Sequence, residues 1–319
     1  MKKKTKIILI TACALILCGV VVCACALAAV GFDISRLSTQ LDNTKQWHEE
    51  TVSCEGIEEI YLSADADSIR VYPSESQDIT VRYYTAEYGG YELKNEDGEL
   101  SLEYVRLKDK KWYEYIVFNF GNWDEGDLSV EIGIPAVYDG QVAIAVAAGS
   151  AELSGLEAEG MLSVTCTTGS VEIYDVSAAS IEVSATAGDV ELEKISSPGN
   201  VSVSCTTGSI MLDNVVSDGE VSAVGQAGNI ELYIVQAKSI TAECTTGEVN
   251  AYNISADETF LSATMGNLDV DMRGSAQEYT VSASTDLGQV EVEDAEIANG
   301  DKRISAVTSA GGIYIGFID

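Results

Sequence analysis

Residues Val201-Ser202-Val203-Ser204-Cys205-Thr206-Thr207-Gly208-Ser209-Ile210-Met211-Leu212 decide the fold. On both sides of Gly208 apolar or small residues alternate with polar ones, the period of a strand with one buried face. The glycine marks a corner where a Cβ would obstruct the backbone. The same phrase recurs about every twenty residues, on Gly149, Gly169, Gly188, Gly208, Gly228, Gly247, Gly266, Gly288 and Gly311. Two residues after each stands an aliphatic one: Ala151, Val171, Val190, Ile210, Ile230, Val249, Leu268, Val290 and Ile313. Five before stand Ile144, Val164, Val183, Val203, Ala223, Ala242, Leu261, Ala283 and Ala306.

Copies of two short strands at a fixed period predict an all-β fold, a β-solenoid of regular repeats over 141–319. Turns stacked in chain order about 4.8 Å apart give a rod of roughly 40 Å. A chain of hairpins would instead carry Asn-Gly or Asp-Gly turns. Cys166, Cys205 and Cys244 fall on alternate turns. That places them about 9–10 Å apart, beyond the roughly 7 Å that a disulfide spans. They are expected as buried free thiols, small apolar fillers beside Ala185, Gly225 and Ala263.

Composition excludes much chemistry. The 319 residues hold 18 Lys and Arg against 51 Asp and Glu, a formal charge of −33. Nucleic-acid binding needs the opposite sign. The single histidine, His48, argues against histidine triads and multi-histidine metal sites. No CxxC spacing suggests zinc, and no glycine-rich phosphate loop or nucleophile motif occurs.

Lys2, Lys3, Lys4 and Lys6 form a basic tip over 1–6, and residues 7–32, Ile7 to Phe32, carry no charge. About 20 apolar residues cross a bilayer as a helix, and the lysines favour a cytoplasmic N-terminus. The expectation is one transmembrane signal-anchor, with the remainder outside the cell membrane. Cleavage after Ala26-Leu27-Ala28 and lipidation at Cys25 are the competing fates. A polar stem over 33–53 follows, with Ile34, Leu37 and Leu41 suggesting a short helix.

Residues 54–140 read as an irregular β cap, with strands at Asp67–Tyr72, Ile79–Tyr83 and Leu100–Tyr104. Its insert, 106–127, is basic and aromatic: Arg106, Lys108, Lys110, Lys111, Trp112, Tyr113, Tyr115 and Trp123. This patch is a candidate contact for a glycan, anionic headgroups or a protein partner. The competing reading is a hairpin whose aromatics cover the open end of the solenoid.

Val52, Ile57, Ile60, Leu62, the Asp67–Val71 strand, Pro73 and the Leu128–Pro135 strand, together with the glycine repeats, resemble the bacterial putative-adhesin family of β-strand-repeat proteins. The resemblance spans roughly residues 50–319. It implies a surface β-solenoid, often membrane-anchored, with no established catalytic site, so no catalytic residue carries over.

Two ladders face outward. Glu152, Glu172, Glu191, Glu231, Asp269 and Glu291 stand three residues after their glycines, with Met211, Asn250 and Tyr314 interrupting. Such a column could bind calcium, but a solvated acidic face is the plainer reading. Thr165, Thr167, Ser184, Thr186, Ser204, Thr206, Ser262 and Thr264 form a hydroxyl ladder on the other strand, interrupted by Val224, Gln226 and Glu243. Such ladders can bind ice or polysaccharide, but strand propensity and cross-strand bonding are the plainer reading. Residues 149–319 hold only Lys194, Lys238, Arg273, Lys302 and Arg303 as bases and no tryptophan, poor material for an acidic-sugar cleft.

The sequence therefore points to a non-catalytic, membrane-anchored adhesion or interaction module without a cofactor. An accessory sensor of envelope stress, binding another membrane protein through the 106–123 patch, is one alternative. A polysaccharide-active β-helix enzyme is the other.

Overall fold

The alternation around each glycine becomes two strands of a continuous coil. The computed structural model describes residues 45–108, 129–293 and 300–318. The chain divides into two units. The larger comprises Gln46–Thr85, Gly90–Val105 and Ser129–Asp319. The smaller comprises Met1–Lys45, Ala86–Gly89 and Arg106–Leu128. In its described part, the backbone N–H groups of Leu107 and Lys108 donate to the Tyr88 carbonyl, and Lys108 pairs with Glu87 at 2.9 Å.

The larger unit begins with β1 (Gln46–Val52), β2 (Glu59–Ala64), β3 (Ile69–Ser74), β4 (Ile79–Thr85), β5 (Gly89–Glu96), β6 (Glu99–Arg106) and β7 (Val130–Pro135). Strands then alternate between two sheets: β8 (Gln141–Ala148), β9 (Ala151–Ser154), β10 (Met161–Thr168), β11 (Val171–Ser177), β12 (Ser180–Ala187), β13 (Val190–Ser197), β14 (Val201–Thr207) and β15 (Ile210–Ser217). They continue as β16 (Glu220–Ala227), β17 (Ile230–Gln236), β18 (Ser239–Thr246), β19 (Val249–Ile254), β20 (Glu258–Met265) and β21 (Leu268–Arg273). A 3-10 turn, Ala276–Glu278, precedes β22 (Tyr279–Leu287), β23 (Val290–Val292), β24 (Lys302–Ala310) and β25 (Ile313–Ile318). Among the described residues there is no α-helix.

A 13-stranded and a 12-stranded sheet result, parallel through the repeats. Like residues stack on like, as the spacing predicts. Val164, Val183, Val203, Ala223, Ala242 and Leu261 are register partners in one sheet. Ile173, Leu192, Leu212, Leu232, Ala251 and Val270 are partners in the other. These columns are buried, and each covered Leu or Ile contributes roughly 1.5–3 kcal/mol.

The glycine column is a steric requirement. At Gly208, φ is +138°, and a Cβ there would lie 2.1 Å from the Gly188 carbonyl oxygen, one turn earlier. A second corner, six residues on, carries no single residue type: Gly155, Asp175, Lys194, Asn214, Ile234 and Asn253 all have φ between 54° and 63°. Beyond it a further core column runs through Val176, Ile195, Val215 and Val235. A β-branched residue is ill suited to left-handed backbone, at a cost of roughly 1–2 kcal/mol. Ile234 is 45% exposed and loses little packing if replaced. Ile234→Asn, matching Asn214 and Asn253, is expected to raise the thermal midpoint by a few degrees.

Three sequence expectations need correction. First, the turns do not stack in chain order at the C-terminal end. β24 lies between β20 and β22, and β25 between β21 and β23. The last turn in sequence thus fills a slot that the chain first skips. Second, the described strands nearest the repeats within 54–140 are more regular than an irregular cap. β2 and β3 pair in parallel register with β8 and β9 on one side and with β6 and β7 on the other. Antiparallel pairing enters with β1, β4 and β7 and with β5 and β6, neighbours joined by the two-residue turn Asp97-Gly98. Third, the polar stem does not reach residue 53, because Gln46–Val52 is strand β1; the suggested helix around Ile34–Leu41 lies outside the described residues.

Aromatic side chains from the outermost strands pack together at the N-terminal end. Trp47, Tyr84, Tyr91 and Tyr104 pack edge to face at 5.4–5.6 Å. Tyr84 and Tyr91 donate to one carboxylate oxygen of Asp67 at 2.6 and 3.0 Å, and the Arg82 guanidinium sits 4.5 Å over Trp47. Lys110, Lys111, Trp112, Tyr113, Tyr115 and Trp123 lie outside the described residues.

One core column carries a polar atom without a partner. Val201, Val221, Ile240, Thr259 and Ile304 stack in register, and the buried Thr259 hydroxyl has no hydrogen bond. An unsatisfied buried hydroxyl costs roughly 1–3 kcal/mol. Thr259→Val is expected to stabilise by that order, read as a higher urea midpoint at unchanged slope.

Candidate functional site

The acidic ladder forms in register as Glu152, Glu172, Glu191, Met211, Glu231, Asn250, Asp269, Tyr314 and Glu291. Tyr314 stands between Asp269 and Glu291 because of the exchanged turns. Toward the N-terminal end the charges alternate. Arg70 meets Glu152 at 3.0 Å and Glu131 at 3.5 Å, and Arg82 meets Glu131 at 3.2 Å.

Near the other end, burial, then Asp269 and Glu293, raise the Asp271 carboxyl above its ordinary value. A hydrogen bond to Glu293 pushes Tyr314 up to about 12; burial and Asp269 do the same to Tyr252. Both phenols therefore remain neutral donors, Tyr252 to Asp269 of the ladder and Tyr314 to Glu293. Among the described residues no group of three or more His, Cys, Asp or Glu side chains is placed to hold a metal ion.

Cys166, Cys205 and Cys244 are free and buried, and Cys54 is a partly exposed free thiol. The buried three are more than apolar fillers. Cys205 donates to the Gly188 carbonyl at 3.3 Å, Cys244 to Gly228 at 3.1 Å, and Cys166 to Gly149 and Gly169 at 3.4 and 3.3 Å. Thr308 and Thr285 do the same to Gly266 and Gly311 at 3.0 and 2.9 Å. Burial raises all three thiols, keeping them protonated as donors.

Of the basic and aromatic patch only Arg106 and Lys108 are described, the latter paired as above. Residues 7–32 also lie outside the described residues. Among the described residues no helix is long and apolar enough to cross a membrane.

The hydroxyl ladder leads to a feature that sequence reasoning missed. Thr165, Ser184 and Ser204 are register partners, with Ser204 donating to Ser184 at 3.2 Å. Toward the C-terminal end of the same face lies an open groove of about 580 Å³. Its first row is Glu220, Ser239, Glu258, Arg303 and Thr280 on five neighbouring strands. Its second row includes Thr241, Phe260, Ser305 and Ser282. The ring of Phe260, 38% exposed, stands in a column that carries Ser or Thr in the turns beside it, with Glu182 and Tyr61 further along. Thr241 donates to Glu220 at 3.0 Å, and Arg303 lies 3.9 Å from Glu258. The arrangement offers hydroxyls, two carboxylates, one guanidinium and one apolar ring on a rigid sheet; it offers no positioned nucleophile. A lone Phe among strand residues reads as β propensity, so only its contrast with the hydroxyls in its column could have flagged it.

Residues 57–315 match the family described as Toastrack DUF4097. The chain belongs to this family. No curated protein matches it. Among solved structures it is similar to a putative lipid binding protein from Parabacteroides distasonis ATCC 8503. That match has 14% identity and a TM-score of 0.51, covering 87% of this chain and 98% of the other. A putative adhesin from Bacteroides fragilis NCTC 9343 is 15% identical, covering 86% and 98%, with a TM-score of 0.44. A putative cell adhesion protein from Clostridium sporogenes ATCC 15579 is 12% identical, covering 86% and 100%, with a TM-score of 0.23. The Parabacteroides protein shares the fold, and the DUF4097 match agrees with the family resemblance in the repeats.

Proposed function

We propose that this DUF4097 chain is a non-catalytic adhesion or interaction module, held at the cell membrane by Ile7–Phe32 and displayed outside it. The observation that carries the reading is the groove around Phe260, where polar groups converge on an aromatic ring without an activated nucleophile. A β-solenoid holds such a face rigidly, so binding loses little to ordering. The lysines ahead of residue 7 support a cytoplasmic N-terminus. The outer chain's strong negative charge suits a solvated surface protein.

The test uses cells that display the full chain. Protease added to intact cells is expected to remove the solenoid; its protection would overturn the extracytoplasmic placement. Displaying cells are expected to be retained on polysaccharide- or protein-coated surfaces more strongly than cells lacking the chain. Equal retention across the panel would overturn the binding role. Turnover of any polysaccharide by the purified full chain would overturn the non-catalytic reading.

A further inference from the structure

We infer that the groove around Phe260 binds a neutral saccharide chain laid across the strands. This rests on the binding-module reading and names the ligand class that its groove takes.

The chemistry of the lining selects the ligand. An apolar ring flanked in register by Thr241 and Ser305 offers a stacking surface with hydrogen-bonding groups on both sides. That combination suits a sugar ring, whose C–H face is apolar and whose edge carries hydroxyls. The adjoining row supplies acceptors on Glu220 and Glu258 and donors on Arg303. Ser239 and Thr280 supply groups that both give and accept. Polar groups recur at the strand spacing of about 4.8 Å, so sugar rings crossing the strands on either side of Phe260 meet hydrogen-bonding partners. The volume falls within the roughly 300–1,000 Å³ of small-ligand sites.

Other occupants fit less well. An extended peptide takes much of its affinity from main-chain pairing at a sheet edge, whereas β18, β20 and β24 are each paired on both sides. An acyl chain would leave the hydroxyls and charges of this lining without partners. An acidic saccharide would meet two carboxylates against one guanidinium, within a chain of charge −33.

Full-length chain in detergent, titrated calorimetrically with cellohexaose, chitohexaose, maltohexaose and hexagalacturonate, tests the inference. At least one neutral hexamer is expected to bind with Kd below about 1 mM, and hexagalacturonate more weakly. Phe260→Ala is expected to weaken that binding at least tenfold, Phe260→Tyr to retain it, and Tyr174→Ala, on the other sheet, to leave it unchanged. Melting temperature confirms that each variant is folded. No binding of the neutral hexamers, unchanged binding by folded Phe260→Ala, or preference for hexagalacturonate would overturn the inference. Cell retention that survives Phe260→Ala would leave the module reading standing while removing the groove from it.

Discussion

Gly208→Ala is expected to cost more than about 3 kcal/mol of folding stability, enough to remove much of what an ordinary domain has. Two effects add. The φ of +138° belongs to a region that L side chains rarely adopt, and the new Cβ would lie 2.1 Å from the Gly188 carbonyl oxygen. That oxygen cannot retreat freely, because it accepts the Cys205 thiol and belongs to the adjoining corner. Gly225→Ala is the control. A Cβ there meets the Ile230 side chain at 3.6 Å and the Cys244 sulfur at 4.0 Å, both ordinary contacts, in a column that elsewhere holds Ala185 and Ala263. Urea denaturation should show a large loss for the first variant and little change for the second. Equal effects would mean that the corner does not require glycine.

Removing the C-terminal turn by truncation after residue 299 is expected to do more than shorten the solenoid. In an ordinary repeat array a terminal turn contributes its own stability and one interface. Here β24 and β25 pair on both sides, so their loss uncovers two turns at once. Ile304, Ile313 and Ile315 are almost fully buried and by themselves represent on the order of 5 kcal/mol of burial. The truncated chain should unfold at markedly lower urea, with β20–β23 unprotected in hydrogen exchange. A truncated chain with unchanged protection in β20 and β21 would contradict this placement.

These two cases show what the sequence could reveal. The glycine corners were legible because a Cβ clash leaves one residue type at one position in every turn. The second corner was not, since Asp175, Lys194, Asn214 and Ile234 all reach its backbone angles and leave no single signature. The exchanged turns were hidden for a more basic reason. A strand with one buried face alternates in the same way whichever neighbour it pairs with, so periodicity reports burial and not spatial order. The longer intervals between Gly266, Gly288 and Gly311 are equally compatible with stacking in chain order and with the exchange. The groove was hidden with them, because Arg303 reaches Glu258 only once β24 enters between β20 and β22. Stacking in chain order would have set Glu258 beside Thr280.

That difference allows a direct measurement. Cysteine pairs placed in the full chain, with disulfides identified by mass spectrometry, report which strands are neighbours. Register partners in adjacent parallel strands lie within the roughly 4.4–6.8 Å between Cα atoms that a disulfide spans, whereas strands one turn further apart do not. The account predicts rapid bridging in the Glu258→Cys, Arg303→Cys pair and in the Arg303→Cys, Thr280→Cys pair, with none in the Glu258→Cys, Thr280→Cys pair. Bridging of the last pair with failure of the first would contradict both the inserted turn and the groove that it completes.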